Sequence, residues 1–163
     1  MTDFKQLKDC EYIDIPLDKI YDLNQLLKAY STRRGPQAGW ALRTKSRNAV
    51  INEVLKQSKS NKLNWTWPNF LLFEWHEPNK RKDPDNVSSA GKKAILDGLQ
   101  KINLDNDDPN SMLLPNDNNK HIHGFLDIFV FDKQNFVRVY QLGPDFAKNI
   151  YNLIDTERVS DFW

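Results

Sequence analysis

The stretch FLLFEWHEPNKRKDPDNVSSAGKKAILDGLQK, residues 70–101, decides how the chain is read. Its first part, Phe70 to Trp75 within the segment from Trp65 to Glu77, is bulky, aromatic and nearly continuous, which predicts a central β-strand. Pro78 ends that strand, and the charged run from Asn79 to Asp83 reads as a loop. Pro84, Asp85 and Asn86 then give a helix-start signal, with Asp85 or Asn86 free to cap the first amides. The predicted helix runs to about Lys101, with Val87, Ala90, Ala94, Ile95, Leu99 and Ile102 on its apolar face. Gly91 and Gly98 weaken a helix, so their presence predicts close packing against a neighbour.

Working outward, Glu11 to Pro16 alternates Tyr12 and Asp14 against Ile13 and Ile15, a short first strand. Leu17 to Tyr30 carries Ile20, Leu23, Leu27 and Tyr30 at helical spacing. Gly35, Pro36 and Gly39 signal a loop over Ser31 to Gly39, after which Thr44 to Lys56 reads as a helix with a strongly basic outer face. On the other side, Asn103 to Asn119 is rich in Asn, Asp and Pro and supplies turn chemistry instead of core. Phe125 to Phe131 and Phe136 to Leu142 flank Asp132 to Asn135 as a predicted hairpin, and Gly143-Pro144 introduces a last amphipathic helix through Phe146, Ile150 and Leu153. The pattern is mixed α and β.

The chain has 163 residues, which fits one domain over 1–163 with enough bulk for a real core. An apolar fraction of 39% with 28% charged residues and a mean hydropathy of -0.70 predicts a soluble protein. No run approaches the roughly 20 apolar residues of a spanning helix, and Met1 to Cys10 is not signal-like, so the expected location is the cytoplasm. The single cysteine, Cys10, excludes an internal disulfide and a cysteine zinc cage. A net charge of +1 means that a footprint for nucleic acid must come from local clustering. Such clusters are Arg33-Arg34, the group Arg43, Lys45 and Arg47, and Lys80-Arg81-Lys82.

The last cluster abuts two carboxylates, Asp83 and Asp85, separated by one residue in a strand-to-helix turn. Side chains so spaced can converge on one point, and hard ions such as Mg²⁺ take oxygen ligands. Convergence disfavours ionisation of both acids, a penalty that a bound dication relieves. The plainer alternative is that Asp85 caps the helix while Asp83 pairs with Arg81 or Lys82.

The run KDPDN, preceded by FEWHEP and followed by KKAILDGL, resembles the signature region of the RusA-type Holliday junction resolvases, common in phages and prophages. The likeness spans about Leu71 to Leu99. It implies an α+β fold with a small mixed or antiparallel sheet packed by helices. It further implies Mg²⁺ (with Mn²⁺ as a substitute) held by Asp83 and Asp85, with Asn86 completing the motif, and a homodimer acting on four-way DNA junctions. A third family carboxylate falls on Asp117 in Leu114-Pro115-Asn116-Asp117, where Asn116 replaces the first member of the usual acidic pair. The extra loop offers Asp105, Asp107 and Asp108 as competitors. The family's functional lysine falls on Lys93 when the register is taken from the helix end, and on Ser89 when counted from the first aspartate. Lys93 also has a local alternative, an exposed pair with Asp97.

On this resemblance Asp83, Asp85, Asp117 and Lys93 are the expected catalytic residues. Lys80, Arg81, Lys82, Arg33, Arg34 and Arg43 are the expected DNA contacts. Two further readings stay open: a branched-DNA-binding protein whose catalytic site has decayed, and a metal-dependent nuclease for another branched nucleic acid. Of the remaining features, Trp40 is either a structural residue or a stacking platform for a base. His121 and His123 share a strand face without a third ligand nearby. His76 with Glu74, and Asp127 within its apolar strand, are either hydrogen-bonding residues or supports for the site.

Overall fold

The computed structural model describes residues 7, 9–20, 25, 27, 28, 31, 36–65, 69–78, 84–105, 122–143 and 146. Within these, the elements in chain order are β1 (Tyr12–Pro16), a 3₁₀ turn (Leu17–Lys19), α1 (Pro36–Ser60), β2 (Asn69–Glu77), α2 (Pro84–Asp105), β3 (Ile122–Phe131) and β4 (Phe136–Gln141). They form an α+β fold with a four-stranded mixed sheet in the order β1-β4-β2-β3. The predicted strand at 70–75 is central, flanked by β4 on one side and β3 on the other.

The alternation in each strand assigns the two faces. On one face the rows Ile13-Val139-Phe73 and Ile15-Val137-Trp75 lie across three strands in register, and every one of these side chains is fully buried. Val50 and Val54 of α1 and Ala94, Ile95 and Leu99 of α2 join them in the core. The aromatic content reinforces this layer, with Trp75 stacked between Phe73 and Phe129 at centroid distances of 6.1 and 6.3 Å. On the opposite face the rows are Tyr12-Tyr140-Leu72 and Asp14-Arg138-Glu74. Arg138 there donates to both oxygens of Asp14, Nε at 2.8 Å and Nη2 at 2.9 Å, and its guanidinium lies 4.2 Å from the Tyr12 ring centroid. This bidentate geometry accounts for an arginine in the middle of a strand.

The two glycines of α2 behave as their sequence position implies. A Cβ on Gly98 would lie 2.9 Å from the Cβ of Val54, and one on Gly91 would lie 3.0 Å from Ile20 Cγ2. The close approach of α1 therefore requires glycine at 98, and a side chain at 91 would crowd Ile20 in the segment after β1.

Three expectations are corrected. The predicted hairpin does not form: β3 pairs with β2 in parallel, while β4 pairs antiparallel with β1 and β2. Short loops normally join adjacent strands, but here Asp132 to Asn135 passes over the end of β2 and puts β4 on its far side. The loop between 31 and 39 is also shorter than expected, because α1 begins at Pro36 and includes Gly39 and Trp40. Proline suits a first helical position, and Gln37, Ala38, Ala41 and Leu42 are good helix formers that outweigh one glycine. Finally, residues 17–19 form a single 3₁₀ turn rather than the start of a continuous α-helix. Gln25, Leu27 and Lys28 are helical, as is Phe146, whereas most of the predicted helices at 17–30 and 144–153 lies outside the described residues.

Candidate functional site

The unit β2-α2-β3 determines what surrounds the acidic motif. β2 and β3 run parallel, so both finish at the same end of the sheet, with Glu77 opposite Phe131. Glu77 and the loop residue Asp132 therefore lie at that same end, and α2 starts at Pro84. Proline occupies the first helical position, so Asp85 and Asn86 lie inside the first turn, not at the cap as expected. An acid in that turn is favoured by the unpaired amides and the helix dipole.

Asp83, Asp117, Asp107, Asp108, Lys80, Arg81, Lys82, Arg33 and Arg34 lie outside the described residues, and of Asp85 the backbone alone is described. Asp105 closes α2, twenty residues after Asp85, so the two are separated by about 30 Å along one helix at 1.5 Å per residue. That separation removes Asp105 as a partner of Asp85 within one chain. Asp83, Asp85 and Asp117 offer oxygen donors only, which fits a hard dication such as Mg²⁺ better than zinc. Among the described residues, no group of three or more His, Cys, Asp or Glu converges as a metal site.

Lys93 is exposed, and its Nζ donates to Asp97 Oδ1 at 2.9 Å, the local pair considered from sequence. Asp97 also accepts from Arg47 Nε of α1 at 2.7 Å. Burial pushes the Asp97 carboxyl up, but the bonds and charges of Arg47 and Lys93 outweigh it and hold the group below its ordinary range. Its neighbour Lys92 escaped sequence reasoning. Lys92 stands seven residues after Asp85, which returns to the same helix face after about 10 Å. It is drawn toward β3, where its Nζ lies 2.5 Å from Asp127 Oδ2 and 4.2 Å from the centroid of Phe125. Asp127 accepts from Trp75 Nε1 at 2.9 Å as well. The acid that interrupts an apolar strand thus satisfies a buried indole and a largely buried ammonium.

At the end of β2, His76 is almost fully buried and stacked on Phe136 at 4.4 Å. Its Nε2 lies 2.5 Å from Glu74 Oε1 and its Nδ1 lies 2.6 Å from Asp132 Oδ2. The contact to Asp132 fastens the crossing loop to the strand that leads into the motif. Desolvation pushes the Asp132 carboxyl up, while the bonds from His76 and from the Gln134 amide pull it further down. His121 and the side chain of His123 lie outside the described residues. Burial, with the charge of Asp9, raises the Cys10 thiol, which disfavours a reactive thiolate.

Lys45 and Arg47 are exposed on α1, as the sequence predicts; Arg43, before the predicted helix, is exposed on it too, and Trp40 is 68% exposed on the same helix. Among the described residues no helix is long and apolar enough to cross a membrane. Comparison of the chain with protein-family models, curated proteins and solved structures yields no match.

Proposed function

We propose that this protein is a Mg²⁺-dependent, structure-selective endodeoxyribonuclease of the RusA type that resolves four-way DNA junctions by paired nicking. The observation that carries the reading is that a central strand ends at Glu77 and Pro84, Asp85 and Asn86 of the motif open the helix that follows. Asp83, Asp85 and Asp117 would hold Mg²⁺, with Mn²⁺ as a substitute. When bound, the metal supplies an activated water and stabilises charge on the phosphoryl group. Lys80, Arg81 and Lys82 draw the phosphate backbone toward the acids, and Arg33, Arg34 and Arg43 extend the basic surface. Lys93 offsets negative charge near the reacting diester, a role in which it competes with its bond to Asp97. A homodimer presents two such sites to the two strands, in the cytoplasm of a bacterial or phage-infected cell.

The second reading, a branched-DNA-binding protein with a decayed site, is favoured by Asn116 where the family pattern has an acid. One experiment separates the two. A labelled four-way junction and a matched linear duplex are incubated with the protein in Mg²⁺ and in EDTA, beside Asp85→Asn. Symmetric nicking of the junction alone, dependent on metal and lost in Asp85→Asn, is the expected result. Tight junction binding without cleavage in Mg²⁺ or Mn²⁺ removes the nuclease reading and leaves the binding protein.

A further inference from the structure

A tryptophan two-thirds exposed in a regular helix is an unusual expense of apolar surface, and Trp40 is the most exposed of the large apolar side chains among the described residues. Its surroundings are cationic. With 100° per residue, Trp40, Arg43 and Arg47 fall within about 60° of one another around α1, a stripe about 10 Å long. At its far end the stripe crosses to α2, because Arg47 and Lys93 both bind Asp97, at 2.7 and 2.9 Å. Two cations share that one carboxylate, so with Arg43 the stripe keeps a net positive charge.

We propose that this stripe binds a DNA strand, with Arg43, Arg47 and Lys93 against phosphates and the Trp40 indole stacked on a base exposed at a branch point. The charge selects a polyanion, and a flat ring beside that charge is complementary to an unstacked base, which a continuous duplex does not offer. The guanidinium of Arg47 and the ammonium of Lys93 are held in place by Asp97 before DNA arrives, which reduces the ordering cost of binding. Trp40 is thus a selectivity residue for branched over linear DNA. The inference rests on the proposed function for the nature of the substrate, but it makes a separate claim about where the DNA lies.

The test measures binding in EDTA by fluorescence anisotropy, with a labelled four-way junction and a linear duplex of the same sequence. Trp40→Ala is expected to weaken junction binding about ten-fold or more, the loss of one base–aromatic stack, while duplex binding changes less than about two-fold. Trp40→Phe retains most of the affinity because it keeps a ring. Arg43→Ala weakens both DNAs alike and lowers the slope of log affinity against log salt by about one. Circular dichroism melting of each variant is expected to match the wild type, since the altered side chains are exposed.

Unchanged junction affinity in Trp40→Ala overturns the proposal, as does a wild type that binds neither DNA. A Trp40→Ala protein that becomes monomeric where the wild type is dimeric assigns the ring to a protein interface and also overturns it. Cleavage in Mg²⁺ is read separately. A wild type that binds selectively through Trp40 without cutting supports the stripe while removing the nuclease reading.

Discussion

Asp127 shows how one side chain can answer two demands. Trp75 is fully buried, so its indole N–H needs an acceptor, and Lys92 has only 16% of its side chain exposed, so its charge needs a counterion. Both are met by the two oxygens of one carboxylate, from 52 and 35 residues away in the chain. Replacing Asp127 by Leu leaves both groups unpaired, and the expected cost is about 2–4 kcal/mol in urea unfolding at unchanged m-value. Asp127→Asn keeps an acceptor for the indole and is expected to cost less. Adding Lys92→Met to Asp127→Leu is expected to recover much of the loss, because an apolar pair replaces a stranded charge. Additive losses in the double variant would show that the ion pair is energetically idle. Sequence alone shows an acid in an apolar strand, but neither of its partners, since both arrive through tertiary structure.

The contact between α1 and α2 depends on an absent side chain. Alanine at 98 gains about 1 kcal/mol of helix propensity, whereas forcing a methyl against a packed neighbour costs about 1–3 kcal/mol. The neighbour is Val54 Cβ, 2.9 Å from the new atom and bonded directly to the backbone of α1, so it yields only if the helix shifts. Gly98→Ala is therefore expected to destabilise by about 1–2 kcal/mol. In a Val54→Ala background, which removes the two Cγ atoms at 3.1 and 3.2 Å but keeps the Cβ, the cost is expected to shrink without vanishing, a reduction that chemical denaturation of the four proteins will reveal. The two glycines signalled a close approach before the structure, but not which element makes it. The strands were legible too, from the alternation in 11–16 and the aromatic run at 70–75. Their partners were not, because side-chain patterns report which face is buried and not which strand lies alongside. Asp132 to Asn135 reads as a hairpin turn on local grounds, and only the competition for the edges of β2 sends β4 to the other side.

The same division holds for the candidate site and for the stability of the molecule. The end of β2 at Glu77 and the start of α2 at Pro84 were readable from proline and charge. The bond between His76 and Asp132, 56 residues apart, was not, because it exists only once the loop crosses β2. That bond and the Arg47-Asp97-Lys93 cluster tie four segments together through two carboxylates, Asp132 and Asp97, both held below their ordinary range. A carboxyl whose pKa is lower in the folded chain than in the unfolded one, near 3.9, contributes stability that is complete above that value. The contribution is lost as the pH falls through the lower, folded value. These two groups thus leave stability level between about pH 5 and 7 and reduce it below about pH 4. Protonation of Asp97 also leaves Arg47 and Lys93 close together without their shared anion, so α1 and α2 are expected to separate early in acid. Melting temperatures from pH 7 to 2.5 will show the fall, and Asp97→Asn, already lacking the anion, is expected to start lower at neutral pH and decline less steeply. If its acid slope equals that of the wild type, the acid-sensitive contact lies elsewhere than between the two helices.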